Sequence, residues 1–346
     1  MNDLDIPILF ADERWQSALA DYLRHIYEKS ESMRSFVLYS YYLQEFFIDQ
    51  ARTGDLYSRQ ECERYLHQPC KSRNNPEGQP SAATRGLRLS TLKSFYLFCE
   101  NYTITGPDGR PERLLQSAPP CLGIYPPKRI VKFKALDIDE LRAFFAAVEA
   151  NPNPVARARD RCIFIWALYT CRRRAELCRL KFKHLFRGTI REESGATREG
   201  WLYHWTGKGD AGEEHMIELP PACVEALEVY LVASGRDNVQ PEDALFGCLG
   251  RGPRRSGNTA LDETTVYHIW REYASRAGID ITTKSLHSLR HSGIQQRLLA
   301  GQPIMETMRV SGHKSLDTFM RYARRLDVAD TGASLLEKRF DFLGGT

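Results

Sequence analysis

Six prolines between Thr105 and Lys134, at positions 107, 111, 119, 120, 126 and 127, constrain this chain more than any other feature. Proline has no amide hydrogen and a fixed φ, so a segment this rich in it suits an extended connector rather than a helical core. A chain of 346 residues is also long for one compact core. The expected organisation is therefore two domains, residues 1–104 and 135–346, joined by a linker over 105–134.

The flanking blocks are patterned mainly as helices. In "WQSALADYLRHI" the residues Trp15, Leu19, Tyr22, Leu23 and Ile26 fall on one stripe, and "LRLSTLKSFYLFCE" repeats the pattern with Leu89, Leu92, Phe95, Tyr96 and Cys99. Four short helices fit the span from Glu13 to Tyr102. The second block opens at "LDIDELRAFFAAV", where Asp137 is an N-cap and Glu140 completes a capping box. Past a buried helix and a basic turn the period changes. "GWLYHWTGKGDAGEEHMIELP" alternates apolar residues on both sides of a Gly-rich turn, predicting a β-hairpin with Lys208 at its tip. Helical patterns resume at "PACVEALEVYLVA" and continue to the end. The fold class is mainly α with a small antiparallel β-sheet.

A formal charge of +4 is only mildly basic, so a nucleic-acid surface has to come from local clustering. No apolar run approaches the ~20 residues of a spanning helix and no signal peptide is recognisable, so a cytoplasmic, nucleoid-associated protein without membrane contact is expected. Nine cysteines, with no C-x-x-C pair, argue against a disulfide framework or a zinc ribbon.

The stretch "KSLHSLRHSGIQQRLL" places His287, Arg290 and His291 at i, i+3 and i+4, on one face of a helix. Such a cluster packed against a core is costly unless an anion sits opposite. "YTCRRRAELCRLKFKHL" sets Arg172, Arg173 and Arg174 at a helix start, and the guanidinium fork matches the oxygens of a phosphate. Lys208 in "TGKGD", His313 in "SGHKS" and Tyr322 in "FMRYARR" complete the series.

That series resembles the active-site series of the tyrosine recombinases, or phage integrases, most strongly over about 165–325. The N-terminal block resembles that family's four-helix core-binding domain more softly. The resemblance implies a C-shaped clamp on double-stranded DNA and a site-specific recombinase that forms a 3′-phosphotyrosyl bond without metal, cofactor or ATP. Arg173 and Arg290 would clamp the phosphate with His313, Tyr322 would attack, His287 would take its proton, and Lys208 would be the general acid. It also implies four protomers around two duplexes with inverted-repeat target sites, and a C-terminal helix near "GASLLEKRF" docking onto a neighbour.

Only Arg173 stands three before Glu176 in the family's Arg-x-x-Glu-Leu pattern. Cys171 replaces the usual glycine, and Ser311 the usual leucine before Gly-His. Arg172 and Arg174, with Arg85, Arg88 and Lys93 of "SAATRGLRLSTLK", are expected to meet the DNA backbone. A zincin pair at His287 and His291 would need glutamate at 288, where Ser288 stands, so no metal is expected and His291 is assigned to orienting the cluster. Two alternatives are a type IB topoisomerase-like or telomere-resolving enzyme, and a catalytically silent DNA-binding protein.

Overall fold

In a computed structural model, which describes residues 4–30, 32–70, 78–126, 134–191, 195–207, 214–249 and 259–323, the stripe beginning at Trp15 becomes helix α1 (Glu13–Ser30) with Trp15, Leu19, Tyr22 and Leu23 buried. The chain divides into two units, Met1–Lys132 and Phe133–Thr346.

In the first unit α1 is followed by α2 (Met33–Phe46), α3 (Arg59–His67) and α4 (Ala82–Asn101). Helix α3 starts at a reciprocal cap: Ser58 Oγ accepts from the Glu61 amide, and the Glu61 carboxylate accepts from the Ser58 amide at 2.8 Å. The core is aromatic, with Phe10, Trp15, Phe47, Phe95 and Tyr96 in mutual contact.

Residues 105–126, the described part of the expected extended connector apart from Lys134, are packed on the first unit. Strands β1 (Thr103–Thr105) and β2 (Pro111–Arg113) form an antiparallel hairpin, and beyond it Leu114, Leu115, Cys121 and Ile124 are buried in the first unit's core. The prolines exclude a helix, but the apolar residues between them still gain by leaving water.

Arg88 also corrects an expectation. It is fully buried, not turned to DNA. Its Nη1 donates to the Gln68 carbonyl at 2.6 Å and the Tyr65 carbonyl at 3.1 Å, its Nη2 lies 3.2 Å from Glu45 Oε2, and the guanidinium covers the Tyr65 ring. Carbonyls at a helix C-terminus have no partner within the helix, and Arg88 supplies donors for those of α3. Arg85 and Lys93 are half-buried.

The second unit begins with α5 (Ile138–Glu149), capped as expected by Asp137 and Glu140 in a reciprocal pair. Helix α6 (Pro154–Thr170) buries Cys162 through Ala167 without a break, as befits a helix surrounded on all sides. A short α7 (Arg174–Cys178) leads to strands β3 (Leu185–Arg191), β4 (Thr197–Trp205) and β5 (His215–Glu218), antiparallel in that order. The β4–β5 hairpin is the one expected, and Trp205 pairs with His215 at its base. Lys208 and the rest of the tip lie outside the described residues, as does "GASLLEKRF". Strand β3 was not foreseen. Helices α8 (Pro221–Ser234), α9 (Glu263–Arg276), α10 (His287–Leu299), α11 (Ile304–Ser311) and α12 (Leu316–Ala323) complete the unit. Helix α10 lies close on α6 at Gly293, where a Cβ would come within 2.0 Å of the Leu168 carbonyl. All nine cysteines are free thiols.

Replacing Arg88 removes one donor each from Glu45, the Tyr65 carbonyl and the Gln68 carbonyl. Arg88→Ala is expected to lower the local opening free energy of α3 and α4 by about 2–3 kcal/mol, read in the full chain by amide hydrogen exchange. Lys93→Ala, at a half-buried position, should change it by less than about 0.5 kcal/mol.

Candidate active site

Helix α10 carries His287, Arg290 and His291 on one face, as their spacing requires. Arg290 is 2% exposed. Its Nη1 donates to the carbonyl of Cys171, which ends α6 in a left-handed conformation at φ 54° and ψ 28°. Cys171 is the only non-glycine residue at positive φ among the described residues, and a Cβ disfavours that region. The strained turn aims the carbonyl at α10.

Arg290 Nε is buried without a hydrogen-bond partner, and no carboxylate pairs with this guanidinium among the described residues. Both ring nitrogens of His313 lie 3.5 Å from its Nη2, too far for a strong hydrogen bond. Burial first, and then Arg173, lower its pKa to about 10, so it remains a cation at neutral pH. A buried cation with spare donors is a receptor for an anion.

The three consecutive arginines have three different environments. Arg173 caps α7: its amide donates to Glu176 Oε2 at 2.8 Å, its Nη1 to Oε1 at 2.7 Å, and its side chain is 37% exposed. The Arg172 side chain is 0% exposed. Its Nε donates to the Thr170 carbonyl at 3.0 Å, its Nη2 to the Val310 carbonyl, and its guanidinium lies 3.4 Å from the centre of the Trp205 ring. It is a strut between the ends of α6, α11 and β4, which corrects its expected contact with DNA. Arg174 is 32% exposed and lies 3.3 Å from Glu263.

Gly312 closes α11 at φ +66°, and a Cβ there would come within 2.3 Å of Trp205. His313 follows, with Nδ1 2.7 Å from Ser311 Oγ, so the serine that replaces the usual leucine holds the imidazole. Tyr322 on α12 is 8% exposed and packs with Cys171, Ile294, Met308 and Phe319. Its hydroxyl lies 2.7 Å from His291 Nδ1, and the His313 ring is 5.6 Å away. His287 lies edge-on to His291, ring centres 4.6 Å apart.

The structure thus gathers Arg173, His287, Arg290, His313 and Tyr322. It gives the place beside the Tyr322 hydroxyl to His291 rather than His287. Ser311 was also missed as a partner of His313. Burial raises the pKa of Tyr322, against the pull of Arg290 and Arg173. Burial, and then His287 and Arg290, lower that of His291 to about 3. His313 is lowered to about 3 by burial and then by Arg290 and Arg173. His287 keeps an exposed edge, yet crowding of its ring together with Arg290 lowers its pKa too.

Two predictions follow from these environments. Arg172→Ala should lower the unfolding free energy of the second unit by about 2–4 kcal/mol, because it strips the buried Thr170 and Val310 carbonyls of a donor and uncovers the Trp205 ring. Arg173→Ala, from a half-exposed pair, should cost about 1 kcal/mol, both read by urea unfolding. The histidines predict a pH dependence. His291 and His313 stay neutral in the folded protein down to about pH 3, whereas in the unfolded chain they protonate near 6.5. Between those values the unfolded state binds more protons, so stability falls as pH drops. The fall should be measurable from about pH 6.5 to 5, above the carboxylate range, and His313→Asn should flatten it.

Residues 134–328 match the model of the phage integrase family. The tyrosine recombinase XerA of Thermococcus onnurineus (strain NA1) is 24% identical over 312 residues, 90% of this chain and 92% of that protein. Among solved structures, XerH site-specific recombinase in a post-cleavage complex with palindromic difH substrate aligns with a TM-score of 0.65 at 16% identity, over 97% of this chain and 90% of that one. A lambda integrase tetramer bound to a Holliday junction aligns with a TM-score of 0.60 at 16% identity, over 88% and 76%. At these identities the structures speak for the fold. The family match covers more than half of the chain, and it encloses every residue of the site just described. The protein belongs to the phage integrase family, the tyrosine recombinases, enzymes that cut and rejoin DNA.

Proposed function

We propose that this protein is a site-specific recombinase in which Tyr322 attacks the scissile phosphodiester of duplex DNA, forming a 3′-phosphotyrosyl bond and releasing a 5′-hydroxyl, without metal or ATP. The observation that carries this reading is Arg290, a buried cation whose Nε has no hydrogen-bond partner and which no carboxylate meets in an ion pair among the described residues, held beside Arg173, His313 and a buried tyrosine.

A phosphodiester spreads its charge over non-bridging oxygens as it is attacked, and fixed donors stabilise that charge without reorganising. Arg173 and Arg290 supply paired N–H groups to those oxygens, and His313 supplies another. The leaving 5′-oxygen takes a proton from Lys208, carried by the β4–β5 hairpin. Because the ester to Tyr322 retains the bond energy, a second 5′-hydroxyl reseals the strand with no other energy source. Arg174, Arg85 and Lys93 are assigned to the DNA backbone, whereas Arg88 and Arg172 are committed to the fold.

The two units are read as closing on duplex DNA as a C-shaped clamp, with four protomers on two duplexes bearing inverted-repeat sites. The lambda integrase assembly on a Holliday junction supports that reading by analogy of fold. Such a ring joins one patch of each protomer to a different patch of the next.

The test is a suicide DNA substrate that traps the covalent adduct, assayed with EDTA present. Wild-type protein should form the adduct, and Tyr322→Phe should form none while binding DNA as before. Arg173→Ala should slow trapping on the order of a hundred- to a thousandfold, the usual loss for one oxyanion donor. An adduct persisting in Tyr322→Phe, or cleavage that needs Mg²⁺ to be restored, would overturn the mechanism. A two-site exchange assay then separates recombination from simple relaxation.

A further inference from the structure

We propose that Ser311 is a positioning residue for the reaction: its hydroxyl donates to His313 Nδ1, which keeps the imidazole hydrogen on Nε2 and makes His313 a donor toward the scissile phosphate. This rests on the reading of His313 as one of the phosphate's donors. Ser311 is the last residue of α11 and is 0% exposed. Gly312 then turns the chain through the left-handed region at φ +66°, and the side chains on either side of it meet, with Ser311 Oγ 2.7 Å from His313 Nδ1. The leucine usual at this position in the family has no polar atom to offer.

A hydrogen bond between a hydroxyl and an imidazole nitrogen can run either way, and the neighbours decide which. Among the described residues the other acceptor for the Ser311 hydroxyl is the Met308 carbonyl, at 3.3 Å. That carbonyl already accepts from the His313 amide at 3.1 Å and from the Gly312 amide, so both of its lone pairs are engaged. The hydroxyl hydrogen is left for Nδ1. Arg290 Nη2 stands 3.5 Å from both ring nitrogens, so it favours neither as acceptor. Burial, and then Arg290, Arg173, His291 and Arg172, hold the ring neutral, and a neutral imidazole has one hydrogen to place.

Where that hydrogen sits decides what the ring can do. With Nδ1 taken by Ser311, Nε2 is the nitrogen left for substrate. An Nε2–H donates to a non-bridging oxygen as negative charge gathers there. A hydrogen on Nδ1 would instead turn the Nε2 lone pair toward that oxygen and repel it. Ser311 thus acts before the reaction, by selecting one tautomer, and exchanges no proton with the substrate. The Phe319 and Tyr322 rings of α12 flank the imidazole, with ring centres 5.4 and 5.6 Å from its own. Packing therefore holds the ring in place, and Ser311 sets its polarity.

The experiment pairs a spectrum with a rate, both on the full-length protein. With isotope-labelled histidine, long-range nitrogen–proton correlation spectra distinguish the two neutral tautomers, and the signals of His313 are those lost in His313→Ala. The wild-type protein should show the hydrogen on Nε2, and Ser311→Ala a mixture of both forms. Single-turnover cleavage of the suicide substrate should be about three- to tenfold slower in Ser311→Ala, the worth of one hydrogen bond, with DNA affinity retained. Introduced into His313→Ala, the same substitution should change the rate by less than about twofold, because Ser311 acts through the imidazole. A wild-type spectrum with the hydrogen on Nδ1 would overturn the proposal. So would an unchanged tautomer and rate in Ser311→Ala, or an equal slowing with and without His313. Cleavage at the wild-type rate by His313→Ala would instead refute the underlying reading of His313 as a phosphate donor.

Discussion

The guanidinium of Arg290 is buried, and among the described residues no carboxylate meets it in an ion pair; much of the second unit is arranged around that cost. An ion taken out of water is strongly disfavoured, and here the Cys171 carbonyl accepts from it while the Glu176 carboxylate, paired with Arg173, offsets part of its charge. Delivering that carbonyl requires α6 to end in a left-handed turn and α10 to lie close against it. Gly293 permits the approach, since any side chain there would strike Leu168. Strain at Cys171 and a partly compensated cation at Arg290 are both stability given up at one place, the usual signature of a site built to receive something.

Arg172 and Arg173 are neighbours in sequence and opposites in function. One is sealed between Trp205 and the end of α11, and the other caps α7 with an exposed face. The first makes the second useful. By tying the ends of α6, α11 and β4 together, Arg172 fixes Trp205, and Trp205 in turn bounds the turn at Gly312 from which His313 projects. Trp205 also stacks on His215 at the base of the hairpin that carries Lys208.

Much of this was legible in the sequence, and what was not has physical causes. Periodicity identified α1, α4 and α6, because burying one stripe or a whole circumference leaves a pattern that survives without knowledge of the partner. The Asp137 and Glu140 cap is local and was equally plain. Arg88 was misread because charge suggests solvent, while the carbonyls it serves, at Tyr65 and Gln68, are some twenty residues away. The hairpin and buried leucines after Tyr102 were hidden by prolines, which say what a segment cannot form but not where it packs. Strand β3 has Gly188 at its centre and arginines among its apolar residues, so its alternation is weak. The sequence reading placed His287 beside Tyr322 and left His291 to orient the cluster for a deeper reason: both lie on one face of α10, and only the packing of α12 shows which of them meets Tyr322.

The resting site is therefore inert by electrostatics. Tyr322 is protonated, its neighbouring histidines are neutral, and Arg172, Arg173 and Arg290 share a single carboxylate, Glu176. Each condition is imposed by partial or full burial and by the repulsion of like charges, and each is relieved by the same event, entry of one negative charge between Arg173 and Arg290. A phosphate there would favour charged histidine, lower the cost of phenolate, and satisfy the spare donors of Arg290 at once. Water in the same place could fill the hydrogen bonds but not offset the charge. On this reading the specificity for a phosphodiester lies less in the shape of the pocket than in its excess positive charge, which only an anion can neutralise.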